Sequence, residues 1–235
     1  MLAIYKKEMR SYFTSVIGYV FLVLYLAIAG AVFCYTTLFS MSADVTGFYT
    51  LMMVLSSVML PLLTMKSFAE ERKAKTEQLL LTSPVSIIGI VSGKFLAAYS
   101  VFAACMVLNS LYFFFLAGYA SLKVAVLIGN LFAILLVGMV YIAIGLFVSS
   151  ITENQLSAAI GTIAIILGFL AIGLVGSLIP ADYPVRYVFD FISIFKRFQA
   201  FTAGYLDVAA LIYYISVAFV FLYLTVRVYD RRRYS

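Results

Sequence analysis

Six stretches of this chain, at about 16–39, 46–65, 95–117, 124–149, 156–179 and 209–226, contain no Asp, Glu, Lys or Arg. Each is close to the roughly 20 residues needed to cross a hydrocarbon core of about 30 Å. Backbone groups inside a bilayer have no water to bond, so runs of this kind must satisfy their own N–H and C=O groups as helices. Charged residues make up only 11% of the chain, against roughly a quarter in a soluble domain. The expected fold is an all-α polytopic membrane protein with six transmembrane helices. The longest connections have about 29 residues, too few for a soluble domain. Residues 1–235 are therefore expected to form a single transmembrane domain.

An even number of spans puts both termini on one side. With the termini inside, twelve Lys and Arg fall on the inner side, and Lys123, Arg186, Lys196 and Arg197 make four outside. The positive-inside rule then places both termini in the cytoplasm. The first apolar run is longer than a signal-peptide h-region and no small-residue cleavage site follows it, so it reads as a retained helix.

Several function classes are disfavoured by what the sequence lacks. There is no histidine, and the two cysteines, Cys34 and Cys105, lie inside apolar runs. Imidazole metal sites, histidine relays and a disulfide framework are not expected. Ion-coupled carriers usually keep ionisable groups within the membrane, and these spans have none. No nucleophile, base or metal set suggests an enzyme. The stretch GIVSGKF at 89–95 is not a phosphate loop, because three residues rather than four separate its glycines and Phe95 follows Lys94. No cofactor is expected on this chain, and no nucleic-acid partner. Energy must arrive from outside the bilayer.

Its point of arrival is suggested by KSFAEERKAKTEQLLLTSPVS at 66–86, which holds seven of the 26 charged residues. Glu70, Glu71, Arg72 and Lys73 together exceed what the positive-inside rule asks of a loop, since acidic residues contribute little to topology. A short helix bearing them is suited to docking a moving partner. Glu153, Asn154 and Gln155 in the second inner loop are expected to assist.

Three further patterns concern packing. In MLAIYKKEMRSYFTS, Leu2, Tyr5, Met9, Tyr12 and Phe13 share one helical face and Lys6, Lys7 and Arg10 lie mostly opposite, the pattern of an interfacial helix. Ser157, Gly161, Ala164, Gly168 and Ala171 share a face of the fifth span and would admit a neighbouring helix, within the bundle or on another subunit, or line a substrate route. Pro61 favours a kink in the second span. The segment PADYPVRYVFDFISIFKRFQAFTAGYLD mixes Asp190, Lys196 and Arg197 with Phe189, Phe191, Phe195, Phe198 and Phe201. It reads as a re-entrant or surface-lying extracellular helical hairpin, with Phe195 and Phe198 shielded and Asp182 accessible.

The chain resembles a membrane subunit of an ABC-2 type exporter, in the branch that includes the gliding-motility and nitrous-oxide-cluster permeases. The charged loop is similar to that family's acidic cluster, then Gly-Thr-x-Glu, Leu-Leu and Pro. Glu70 and Glu71, Thr76, Leu79 and Leu80, and Pro84 match, while Lys75 stands where glycine is usual and Gln78 where glutamate is usual. LPLLTMKSFAEE, IAIGLFVSSITENQLSAA and FKRFQAFTAGYLD with IYYISVAFVFLYLTVRV resemble further family stretches in the same order. The resemblance implies six helices per subunit, an N-terminal amphipathic helix and a coupling helix in the first cytoplasmic loop, to which Phe68 and Thr76 would also belong. It implies a hairpin to which Gly204 belongs. It further implies two copies of an ATP-binding subunit, which would hold ATP and Mg, and a second permease subunit, identical or paralogous. The expected function is export of an unidentified substrate across a bacterial cell membrane. The alternative is a mechanotransmitting subunit relaying ATPase motion to an auxiliary protein with an extracellular domain.

Overall fold

A computed structural model describes residues 1–41, 45–78, 85–116, 118, 124–180, 183, 185–202, 204 and 207–233. Leu79, Leu80, Pro84, Lys123 and Asp182 lie outside these residues, as do the expectations attached to them. The described chain is helical throughout. Helix α1 (Leu2–Thr14) stops at Ser15, whose extended backbone breaks the run and whose Oγ accepts the Gly18 N–H of α2 (Val16–Phe33). A π-helical segment, Cys34–Phe39, prolongs α2. Then follow α3 (Val45–Thr64), α4 (Lys66–Lys73), α5 (Ile87–Leu116), α6 (Val124–Ile151), α7 (Gln155–Leu178), the short α8 (Val185–Ile192) and α9 (Ile194–Thr202), and α10 (Val208–Arg233).

Six helical stretches are long and apolar enough to span a membrane: Gly18–Phe39, Val45–Lys73, Ile87–Leu116, Val124–Ile151, Gln155–Leu178 and Val208–Arg233. The expected order holds, but two boundaries shift. Helix α5 begins at Ile87 rather than near 95, so Lys94 lies inside it. The helical run of α3 passes through Pro61 and continues almost directly into α4. The hydroxyl of Thr64 bonds back to the Leu60 carbonyl at 3.2 Å near this junction.

Helix α6 forms the bundle centre. Gly138 lets the Phe102 ring of α5 approach so closely that a Cβ there would lie 2.0 Å from it. The packing of α1 is built differently from the sequence expectation. Ile4 is buried and Tyr5, Met9 and Tyr12 are partly buried, whereas Leu2 (72% exposed) and Phe13 (44%) face outward. Helix α1 lies along the first half of α5, with Ile4 against Gly93, where an added Cβ would meet it at 3.0 Å. The glycines of GIVSG are thus a notch for α1, a small-xxx-small contact of the kind that brings membrane helices together.

At the far end of the bundle, Phe33, Phe48 and Phe113 meet at 5.1–6.4 Å between ring centroids, joined by Tyr49. Helices α8 and α9, the segment expected as a hairpin, cover this end, α8 against α7 and α9 against α6, α7 and α10. Phe198 is fully buried, Phe195 is partly buried, and the Tyr214 hydroxyl donates to the Ile194 carbonyl at 2.8 Å.

Candidate functional site

The end of the bundle where α1 begins and α10 finishes carries most of the ionic contacts between distant segments, and α4 is their meeting point. Its first-turn donors are capped from another helix. Ser149 Oγ of α6 accepts the N–H groups of Phe68 and Ala69, both at 3.1 Å, and donates to the Met65 carbonyl at 3.1 Å. This supplies an acceptor for amides that a helix start otherwise leaves orphaned. The other end of α4 closes in a Schellman motif. Thr76 N–H bonds the Glu71 carbonyl at 3.0 Å and Lys75 N–H bonds the Arg72 carbonyl at 3.0 Å. Lys75 adopts the left-handed conformation this requires, φ +56°, a backbone state that glycine adopts most easily.

Behind α4 lies a buried charge cluster. Lys94, 1% exposed, sends directed hydrogen bonds to Glu8 Oε1 at 2.9 Å and the Ser67 carbonyl at 2.6 Å. Glu71 Oε2 lies 3.0 Å from the same ammonium as an ion-pair contact, and Glu71 Oε1 accepts from Lys7 at 3.1 Å. Two lysines and two glutamates thus neutralise one another across α1, α4 and α5. The Phe68 ring centroid sits 5.0 Å from the Lys94 ammonium and 4.7 Å from the Tyr229 ring. Arg232 lies over the Tyr229 ring at 5.6 Å and pairs with Glu77 at 3.0 Å, bringing α10 into the assembly. Burial, and secondarily the nearby Glu8 carboxylate, raises the Tyr12 phenol far above its ordinary range, so it remains a neutral hydroxyl.

The residues expected to couple to a partner divide by direction. Glu70, Lys73 and Thr76 face outward. Phe68 and Glu71 do not. Phe68 is 1% exposed and Glu71 turns toward Lys94, because α4 must bury one face against the bundle. Arg72 reaches sideways to the α6–α7 connection, meeting Glu153 at 2.6 Å and the Ile151 carbonyl at 2.7 Å. Asn154 caps α7 by accepting the Leu156 N–H at 3.0 Å, and Gln155 is the first residue of that helix. The connection that bears α4 and the α6–α7 connection are therefore clamped into one surface. Glu8 and Lys94 are the members that sequence reading missed. The signal for them was the glycine notch immediately before Lys94 and the single acid of α1.

Elsewhere, Ser157, Ala164, Gly168 and Ala171 are exposed on α7 and Gly161 is half-buried, with nothing near a Cβ built on Gly168. Gly161 packs on α6, where an added Cβ would lie 3.1 Å from Val148, and the other four positions of this face are uncovered among the described residues. In the hairpin, Asp190 pairs with Arg186 and Lys196, while Arg197 lies over the rings of Phe191 (4.8 Å) and Tyr213 (4.6 Å). Gly204, at φ +83°, turns the chain from α9 toward α10.

Six spanning helices, a short helix capped at one end of the bundle and a hairpin at the other are joined by the sequence comparison. The family model described as ABC-2 family transporter protein matches residues 35–229. The chain belongs to the ABC-2 transporter family. It is a multi-pass membrane protein and the permease component of an ABC transporter, a family whose permeases associate with an ATP-binding subunit. No curated protein matches the sequence.

Proposed function

We propose that this ABC-2 permease works as an exporter subunit in a bacterial cell membrane, with both termini cytoplasmic, and that the outward surface of α4 docks the ATP-binding subunit. Two ATPase copies and a second six-span subunit complete the complex, with ATP and Mg held by the ATPases. The observation that carries this reading is the division of α4 into two faces. One is fastened through Ser149, Lys94, Phe68 and Arg72, and the other presents Glu70 and Lys73 beside Glu153 and Asn154. A helix fastened on one side and charged on the other can receive a push and pass it to α1, α5, α6 and α10. The uncovered small-residue face of α7 supports a helix-to-helix contact with the second permease.

The test is a charge reversal confined to the outward face, Glu70→Lys with Lys73→Glu, which leaves the Glu71–Lys94 cluster untouched. The reading expects weakened copurification of the ATPase, or hydrolysis uncoupled from transport in proteoliposomes, with membrane insertion intact. Unchanged binding and coupling would sink it. The same fastening would serve a subunit that only relays motion to an extracellular partner. Substrate flux in vesicles selects export; ATPase-driven movement without flux selects the relay.

A further inference from the structure

The last turns of α6 and α10 leave an open groove of about 940 Å³ between them, next to the contact of the Phe147 and Phe221 rings at 5.7 Å. One part of its lining is apolar, from Phe147 and Ile151 of α6 and Leu224 and Val228 of α10. The other part is charged, from Arg227, Asp230, Arg231 and Arg232. Leu224, Arg227, Val228 and Arg231 follow the i, i+3, i+4, i+7 spacing of a single helical face. Asp230 and Arg232 fall at opposite edges of that face, and Arg232 is already paired with Glu77 at 3.0 Å. Arg227 bonds the Tyr223 hydroxyl at 2.7 Å and lies over its ring, which orients its charge without neutralising it. Arg231 is exposed, and no hydrogen bond or ion pair reaches it among the described residues. The groove thus holds two arginines, one turn apart, whose charges no carboxylate pairs with among the described residues.

The position of the groove narrows its occupant. The last uncharged run ends at residue 226, so the arginines stand at the end of the span and Leu224 lies just inside it. A positive flank is expected at any inner span end, but a flank needs neither a groove nor an apolar wall. A phosphate attached to a hydrocarbon chain matches both parts. Its oxygens accept from forked guanidinium N–H groups, and its chain lies on the apolar wall. Basic pockets between helices at the cytoplasmic side suit anionic lipid headgroups in this way. A zwitterionic headgroup carries no net charge to match the arginines. A soluble acidic segment would match the arginines and leave the apolar wall unmatched.

We infer that the groove between α6 and α10 is a binding site for an anionic phospholipid, with its phosphodiester at Arg227 and Arg231 and an acyl chain along the apolar wall. The site rests on the membrane placement of the protein but not on ATPase docking, because binding is read on the permease alone. The same helix end carries Tyr229 and Arg232, which hold Phe68 and Glu77. A lipid in the groove would steady the end of α10 that fastens α4.

Native mass spectrometry of the purified full chain tests the site. The delipidated protein is titrated with phosphatidylglycerol, phosphatidylethanolamine and phosphatidylcholine of matched acyl chains. Phosphatidylglycerol should be retained about tenfold more strongly than either zwitterion, the scale expected of one or two arginines at an anionic lipid. Arg231→Gln should reduce that preference about fivefold, and Arg227→Gln added to it should abolish the preference. Arg231 bonds nothing among the described residues, so its replacement leaves the fold intact. Arg233→Gln is the comparison: this arginine is exposed in the same last turn but does not line the groove, and its loss should leave the preference unchanged. Equal retention of the three lipids overturns the proposal. So does an equal loss from Arg233→Gln and Arg231→Gln, because charge at the helix end would then act without the groove. Competition by soluble glycerophosphoglycerol as effective as that by the lipid overturns the acyl-chain part.

Discussion

The two ends of the bundle are held together by different chemistry. At the α1 end, ion pairs join residues far apart in the chain: Glu8 with Lys94, Lys7 with Glu71, Arg72 with Glu153, Glu77 with Arg232. At the hairpin end the ionic contacts of Asp190 are local, reaching Arg186 and Lys196 within the hairpin itself, and long-range cohesion comes from Phe33, Phe48, Tyr49 and Phe113. Aromatic pairs favour edge-to-face geometry but lose only about 0.5–1.5 kcal/mol each when it is disturbed, whereas a buried salt bridge is costly to break halfway. The α1 end is therefore built to move as a unit, and the hairpin end to reshape locally.

Lys94→Met should test this contrast most severely. It strands Glu8 and Glu71 with only Lys7 between them, and breaking a buried pair costs about 3–5 kcal/mol. Thermal unfolding of the purified protein should show the loss, and a cysteine crosslink between α1 and α5 should form less readily. Adding Glu8→Met restores charge balance and should recover most of the stability; no recovery would mean the cluster contributes through packing alone. Ser149→Ala comes next. It leaves the Phe68 and Ala69 amides without their acceptor, at about 1–3 kcal/mol, and hydrogen exchange should accelerate in α4 before it does in α6. A smaller effect, in the opposite direction, is expected from Lys75→Gly. Relief of the left-handed backbone should stabilise the end of α4 by up to about 1 kcal/mol, read as slower exchange at the amides of positions 75 and 76. Asp190→Asn should matter least, at about 0–1 kcal/mol, because its ion pairs are partly exposed. A loss there as large as that of Lys94→Met would erase the distinction between the ends.

What the sequence disclosed follows the same division. The six spans were legible because a run of apolar residues is local information, and the hairpin was legible because Phe195 and Phe198 alternate with charge. Lys94 was misplaced at a span boundary because a lysine ordinarily marks one. Nothing local reveals that Glu8 and Glu71, distant along the chain, neutralise it. The outward and inward halves of α4 were likewise hidden. Glu70 and Glu71 are adjacent and chemically alike, and only the packing of Phe68 against Lys94 and Tyr229 decides which of them faces the bundle. The family's usual glycine at position 75 gave a readable hint, since the structure gives that position a positive φ. Spacing on α7 revealed a small-residue face but not that it would point away from the chain's own core.

The chain of contacts from Lys94 through Phe68 and Tyr229 to Arg232 has a consequence for biogenesis. Phe68 leaves the ribosome some 160 residues before Tyr229, so throughout most of synthesis its ring has no cover from Tyr229. Until the last helix is threaded into the membrane, the nascent bundle lacks the Tyr229 ring against Phe68 and the Arg232 partner of Glu77. Completion of α10 supplies both, so the contacts that fasten α4 are finished only by the last helix.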